Sequence, residues 1–164
     1  MNLSMLVDIY PYTWHAIGSS IFCGAIIGLE RQIKGKPVGI RTASLITLGT
    51  YLYLATVFLL DSSHVDPSRV IGQVITGIGF LGAGVMLAKE GIVVGVTSAA
   101  TIWVLASVGV VIATDHLLVA IKLSILVVVI LYGVDMLEEH VKSLGRGVHA
   151  HVKRYSSRIK NDRL

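Results

Sequence analysis

Charged residues are scarce in this chain. Asp, Glu, Lys and Arg make up 15% of its 164 residues, while hydrophobic residues make up 54% and the mean hydropathy is +0.76. These proportions exclude an ordinary soluble domain and are typical of an integral membrane protein. The net charge of +4 reflects membrane topology rather than nucleic-acid binding, because the basic residues are concentrated at a few places. The lipid bilayer is therefore an expected partner, and nucleic acid is not.

Residues for covalent chemistry are also few. The single cysteine, Cys23, lies in an apolar run and excludes an intramolecular disulfide. The sequence has no HExxH motif, no Cys nucleophile with a plausible base and no P-loop. The pattern Gly77-x-Gly79-x-x-Gly82 matches a dinucleotide-binding fingerprint, but it lies inside one apolar run with no acidic residue about 20 positions on. We predict that the protein is not an enzyme and has no cofactor, with bound Mg²⁺ as an open alternative.

Five apolar runs are present, and crossing a bilayer takes about 20 residues. They predict an all-α membrane protein, a bundle of five transmembrane helices at residues 14–29, 43–60, 70–87, 92–113 and 117–137. Apart from Arg69 and Lys122, all of the 14 Lys and Arg residues fall between runs one and two, between runs three and four, or after run five. Because positive residues stay in the cytoplasm, the N-terminus is predicted outside and the C-terminus inside.

The predicted organisation is one membrane domain and one tail. Residues 1–141 form the transmembrane domain, and residues 142–164 form a basic cytoplasmic tail that lies on the anionic inner leaflet. The N-terminal segment lacks the positively charged region of a cleaved signal peptide, so we expect it to be retained.

The stretch from Asp66 to Leu87 is apolar but rich in glycine. Each interior glycine costs about 0.8–1 kcal/mol of helix propensity relative to alanine, so these glycines need a structural reason. Two reasons are open: close packing against another helix, or a broken helix whose freed backbone groups line a cavity. The candidate packing or cavity residues here are Gly72, Gln73, Thr76, Gly77, Gly79, Gly82 and Gly84.

Helical spacing divides these small residues between two faces. One small-residue ridge is formed by Gly72, Thr76, Gly79 and Ala83. Gly77 and Gly84, seven residues apart, lie on a different face. A helix with two such faces can pack tightly on two sides.

Small residues mark two other runs. Gly24 and Gly28 in the first run favour close helix contacts, and we expect them to support homo-oligomer formation. In the fourth run, Thr97 and Thr101 share a face and can bond back to their own helix carbonyls. Trp103 is mid-span, so we predict that it packs over the glycines of the third run.

Polar residues cluster at the predicted membrane edges. Glu30, Arg31, Arg41 and Thr42 flank the first cytoplasmic loop and either anchor the topology or form a cluster in which Glu30 pairs with an arginine. On the outer side, Asp66 precedes Pro67 and predicts a helix start, with Arg69 in the first turn. Asp61 and Asp66 are alternative oxygen ligands for a cation such as Mg²⁺.

Several of these segments resemble the MgtC/SapB family of bacterial inner-membrane proteins. The matching segments, in order, are GLERQ (28–32), GKPVGIRT (35–42), DPSR (66–69), GIGFLGAG (77–84) and GVTSAATIW (95–103). The resemblance covers most of the chain and implies a five-helix, multi-pass protein of the inner membrane. It also implies a role in magnesium homeostasis, in low-Mg²⁺, acid or envelope stress, and in virulence for pathogenic members.

The resemblance implies two functions that remain open. One is a regulator that acts through helix–helix contacts with other membrane proteins or small hydrophobic peptides. The alternative is a transporter or channel for Mg²⁺ or another cation. MgtC-type members carry an additional ACT-like C-terminal domain, and because this sequence ends at Leu164 we expect a short, SapB-like member.

Overall fold

The computed structural model describes residues 8–60, 66–89 and 92–140, and this part of the chain is mostly helical. Its elements in chain order are α1 (Trp14–Ile33), α2 (Ile40–Phe58), α3 (Pro67–Gly84), β1 (Leu87–Lys89), β2 (Ile92–Val94), α4 (Val96–Ala113) and α5 (Leu117–His140). Each predicted apolar run thus contains one helix. The predicted domain boundary at residue 141, and the tail from 142 to 164, lie outside the described residues.

The predicted third span, 70–87, ends later than the observed helix, and the predicted fourth span, 92–113, begins earlier than the observed helix. Helix α3 ends at Gly84 and α4 begins at Val96, because an antiparallel hairpin lies between them, with Leu87 opposite Val94. The β-branched residues of Ile92–Val94 favour this extended conformation. Gly95, with φ of 92°, then turns the chain into α4, a backbone conformation that glycine adopts without steric penalty.

Helix α3 is continuous from Pro67 to Gly84. The alternative of a broken third helix is therefore wrong. Helix α1 is longer than predicted and continues to Ile33, so that Glu30 and Arg31 belong to a helix rather than to a loop. This extension brings both charged residues into the protein interior.

Close approach of α1 and α2 organises the helix packing. A Cβ atom at Gly24 would lie 2.5 Å from Ser44 Cα, and one at Gly28 would lie 2.7 Å from Ile40 Cα. Only glycine permits this spacing between the two backbones. These glycines therefore contact α2 of the same chain and leave no free surface for the self-association that we expected from them.

The core is formed by α1, α2, α4 and the start of α5. One cluster of its buried residues consists of Ala16, Cys23, Tyr51, Val108, Ile112 and Ala120. Tyr51 also accepts a hydrogen bond at its hydroxyl from the Thr13 amide, at 3.2 Å, which ties α2 to the start of α1. Helix α3 packs mainly against α4.

Two helices of the described residues, α4 and the Leu117–Leu137 part of α5, are long and apolar enough to cross a membrane. Helices α1 to α3 are more polar, because they carry charged residues near their ends, such as Arg31, Arg41 and Arg69. The chain divides after Val128 into two compact units. The described part of the second unit is the C-terminal portion of α5, and the sites below lie in the first unit.

Candidate functional site

Two charged side chains are buried together at the end of α1. Glu30 is 7% exposed and Arg31 is 4% exposed, and Arg31 Nη1 lies 3.8 Å from Glu30 Oε2. Arg31 Nη2 donates a 2.8 Å hydrogen bond to Ser98 Oγ in the first turn of α4. Burying a charge is unfavourable unless it is paired and hydrogen-bonded, so this cluster is held in place against a desolvation penalty.

The buried cluster is only partly satisfied. Among the described residues, neither carboxylate oxygen of Glu30 accepts a hydrogen bond, and Arg31 Nε donates none. An ionised carboxylate can accept up to about four hydrogen bonds. Glu30 therefore has acceptor capacity that the described residues do not use, and ionisable residues inside membrane bundles are commonly functional.

The predicted polar cluster is divided among three places. Glu30 and Arg31 form the buried pair, whereas Arg41 and Thr42 are exposed at the start of α2. Asp66 and Arg69 are exposed at the start of α3.

Ser98 is the partner of Arg31 that sequence reasoning missed. No local pattern connects residues 67 positions apart.

A groove of about 650 Å³ lies between α2 and α3. Its α2 side is formed by Arg41, Thr42, Leu45, Ile46, Gly49, Thr50 and Tyr53, and its α3 side by Val70, Gln73, Val74, Gly77, Ile78 and Leu81. The lining is mostly apolar, and Gln73 and Gly77 are the predicted cavity residues that contribute to it. The predicted cavity residues on the other faces of α3 do not line this groove.

The small-residue ridge faces away from this groove. Residues two apart on an α-helix project from nearly opposite sides, so Gly79 points away from the side on which Gly77 lines the groove. All four ridge residues are exposed: Gly72, Thr76, Gly79 and Ala83. No described atom lies within 4 Å of a Cβ position at Gly72 or Gly79, beyond those of the helix itself.

The predicted contact between α3 and α4 is made by one of the glycines. A Cβ atom at Gly82 would lie 3.6 Å from the Ala99 carbonyl oxygen, which is ordinary van der Waals contact. Among the described residues nothing lies within 4 Å of a Cβ position at Gly77, Gly79 or Gly84. Trp103 is 53% exposed, so the prediction that it covers these glycines is wrong. Its helix instead meets α3 through the smaller Ala99.

The predicted threonine pair of α4 bonds within its own helix. Thr101 Oγ1 donates to the Thr97 carbonyl oxygen at 2.8 Å. Thr76 of α3 likewise donates to the Gly72 carbonyl oxygen at 2.9 Å. Such bonds satisfy a hydroxyl inside an apolar environment without recruiting a partner from another helix.

Asp66 serves as the N-cap of α3. Its carboxylate accepts hydrogen bonds from the Ser68 hydroxyl at 2.7 Å and from the Ser68 amide at 2.9 Å. These bonds, together with the nearby charge of Arg69, hold the pKa of the Asp66 carboxyl below its usual value. The described residues contain no group of three or more His, Cys, Asp or Glu side chains that could hold a metal ion. Asp61, the other candidate ligand, lies outside the described residues.

Comparison with known proteins identifies the family. The sequence model that represents the MgtC family matches residues 17–140 of this chain. The chain belongs to this family. The MgtC family is a family of membrane proteins, and the matched region includes most of α1 and all of α2, α3, α4 and α5.

Several curated relatives share this region. YhiD of Escherichia coli, which is named as a candidate magnesium transporter, is 42% identical over 120 residues, covering 69% of this chain and 55% of YhiD. An uncharacterised protein of Haemophilus influenzae is 43% identical over 124 residues, covering 63% of this chain and 52% of the relative. Protein MgtC of Salmonella typhimurium is 39% identical over 104 residues, covering 62% of this chain and 42% of MgtC. The chain thus spans about half the length of the curated relatives that it matches. No solved structure matches it.

Proposed function

We propose that this MgtC family member is a multi-pass protein of the bacterial inner membrane with five spans, its N-terminus outside and its C-terminus in the cytoplasm. Large apolar side chains are exposed on all five helices, including Phe22, Leu45, Phe80, Trp103 and Leu126. Exposed apolar surface of this extent suits contact with lipid rather than with water. The distribution of Lys and Arg supports the same orientation.

Within the membrane, the proposed role is that of a regulator in magnesium homeostasis. It would act by binding other membrane proteins or small hydrophobic peptides, and by pairing with a second copy of itself. In this proposal the protein is not an enzyme and needs no cofactor. A contribution to survival under low Mg²⁺, acid or envelope stress, and to virulence in pathogens, belongs to the same proposal.

The observation that carries this proposal is the exposed small-residue ridge of α3. Interior glycines weaken a helix, yet Gly72 and Gly79 have no packing neighbour among the described residues on this face. In membranes, small residues at this spacing let a second helix approach closely, and association depends on such packing. A partner helix on the ridge gives these glycines a structural purpose.

A second candidate function is transport of Mg²⁺ or another cation. The name of YhiD supports it. Glu30 supports it independently, because its two carboxylate oxygens are buried and accept no hydrogen bond from the described residues. Arg31, at 3.8 Å from Glu30, weighs against a cation at this position, and for that reason we place regulation first.

The regulator is tested by replacing Gly79 with Leu. The added side chain blocks the ridge, and its Cβ atom would have no described atom of another element within 4 Å. We expect Gly79→Leu to fold and insert into the membrane normally. It should no longer show energy transfer between labelled copies in liposomes. It should also fail to restore growth in low Mg²⁺ to a strain from which the gene for this protein has been deleted. The matched control is Gly18→Leu, since Gly18 of α1 is also exposed and open.

The two candidate functions give different results. If Gly79→Leu shows the same association between copies as wild type and restores growth in low Mg²⁺ equally well, the proposed regulatory role is contradicted. Uptake of Mg²⁺ into liposomes that contain the purified protein, abolished by Glu30→Gln, would replace it with the transporter.

A further inference from the structure

The groove between α2 and α3 has a charge at one end of an otherwise uncharged lining. Arg41 lies in the first turn of α2, and the other lining residues carry no formal charge. The Arg41 side chain is exposed and makes no ion pair or hydrogen bond within the described ranges. Thr42, beside it, adds a hydroxyl that can donate a hydrogen bond. The chemistry at this end suits an anion.

The rest of the groove suits a hydrocarbon chain. Leu45, Ile46, Val74, Ile78 and Leu81 provide an apolar lining on both helices. Gly49 and Gly77 have no described atom within 4 Å of their Cβ positions, so neither helix fills the groove midway along its length. A slender apolar ligand can therefore lie between the two helices.

The length of the groove matches one leaflet of a bilayer. Its lining on α2 extends from Arg41 to Tyr53, which at the rise of an α-helix is about 18 Å. One leaflet contributes about 15 Å of hydrocarbon, and a spanning partner helix needs about 30 Å. The groove is therefore long enough for one acyl chain and too short to seat a spanning helix along its whole length.

We propose that this groove binds one anionic phospholipid of the cytoplasmic leaflet. The phosphate lies at Arg41 and Thr42, and one acyl chain lies between α2 and α3 and extends toward Tyr53. The assignment to the cytoplasmic leaflet rests on the proposed topology, in which the start of α2 faces the cytoplasm. The lipid site is on the side of α3 opposite the ridge, so lipid and partner helix do not compete for the same surface.

The test uses the purified full-length protein and native mass spectrometry, after carbonate extraction has shown membrane insertion. Wild type is equilibrated with phosphatidylglycerol or with phosphatidylcholine of the same chain length, and the retained lipid is counted. We expect one retained phosphatidylglycerol and little phosphatidylcholine. Arg41→Gln should reduce phosphatidylglycerol retention about fivefold, which corresponds to the about 1 kcal/mol that a basic residue contributes at an anionic surface.

Two controls separate the parts of the site. Lys36→Gln removes the same charge from an exposed residue of the preceding loop that does not line the groove, and it should retain the lipid. Gly49→Leu fills the groove and should lose the lipid although Arg41 is intact. Gly77→Leu does the same from α3 and serves if the first variant does not fold.

The outcomes also separate this proposal from the proposed membrane function. Release of the protein by carbonate would overturn the topology and the lipid site together. Three results from an inserted protein would overturn the lipid site alone. The first is equal retention of the two lipids, and the second is an equal loss of lipid in Lys36→Gln and Arg41→Gln. The third is retention of the lipid in both glycine variants.

Discussion

Arg31 Nη2 donates a 2.8 Å hydrogen bond to Ser98 Oγ, and this bond joins residues that are 67 positions apart in the sequence. It fixes the last turns of α1 to the first turn of α4, next to the hairpin that follows α3. Arg31 is 4% exposed, so water does not compete for this bond. Ser98 therefore satisfies one donor group of a buried charge and also links the ends of two helices.

Replacing Ser98 with Ala should destabilise the protein. The change leaves one buried donor of Arg31 without its acceptor, and an unsatisfied buried group costs about 1–3 kcal/mol, more when it is charged. The matched control is Ser107→Ala on the same helix, since the exposed Ser107 hydroxyl donates to the nearby Val104 carbonyl oxygen of its own helix. Thermal unfolding in detergent measures the difference. Equal melting temperatures for the two variants would show that the Arg31–Ser98 bond contributes nothing to stability.

The Glu30–Arg31 pair should show strong coupling in a double-mutant cycle. Removing either partner leaves the other charge buried, and such losses cost about 3–5 kcal/mol. Replacing both with Leu removes both buried charges, so Glu30→Leu with Arg31→Leu should be much less destabilising than the sum of the single changes. Unfolding midpoints of the four proteins test this. Additive effects would mean that the 3.8 Å pair is not an energetic unit.

The burial of Glu30 and Arg31 is a feature of the site that could not be predicted from the sequence. The apolar runs predicted a helix in each of five places, because hydrophobic length is a local property of the chain. Glu30 and Arg31 were assigned to the membrane edge for the same local reason, since charge ends an apolar run. Their burial depends on Ser98 and on the packing of α4, which no local pattern shows.

The glycines show the same limit, because a sequence pattern does not identify the partner of a contact. Their spacing predicted close contacts, but spacing does not say which helix makes each contact. Gly24 and Gly28 contact α2, Gly82 contacts α4, and the Gly79 face is open among the described residues. The prediction that Trp103 packs over the third run rests on its mid-span position, but a mid-span Trp also finds apolar surroundings in the lipid. The surface of a membrane protein provides such surroundings outside the chain as well as inside it.

Bulky residues at the α1–α2 contact should disrupt folding, unlike those on the ridge. A Cβ atom at Gly28 would lie 2.7 Å from Ile40 Cα and 2.8 Å from Ala43 Cβ, so the helices must separate to admit a side chain. Overpacking of a tight core typically costs about 1–3 kcal/mol, and Gly28→Leu should lower the melting temperature accordingly. Gly18→Leu, on the open side of the same helix, should not. A stable Gly28→Leu protein would contradict the close α1–α2 packing.

Acid should weaken the start of α3 through Asp66. Hydrogen bonds from the Ser68 hydroxyl and amide, and the charge of Arg69, stabilise the ionised carboxylate and hold its pKa below the usual value of 3.8. A group with a lowered folded-state pKa contributes stability that is present above its unfolded pKa and is lost as the pH falls through its folded pKa. The capping contribution should therefore persist at neutral pH and disappear only in strong acid.

Hydrogen exchange at the first-turn amides of α3 measures this loss, compared between wild type, Asp66→Asn and Asp66→Ala. Asn also caps helices but does not titrate in this range, so Asp66→Asn should keep its protection as the pH is lowered from about 6 to about 2. Asp66→Ala should lack the cap at every pH. The protection of the first-turn amides in wild type should fall to the level of Asp66→Ala only at the lowest pH of the series. If wild type and Asp66→Asn lost protection in parallel, the acid effect would arise elsewhere in the protein, and Asp66 would cap α3 without making it sensitive to pH.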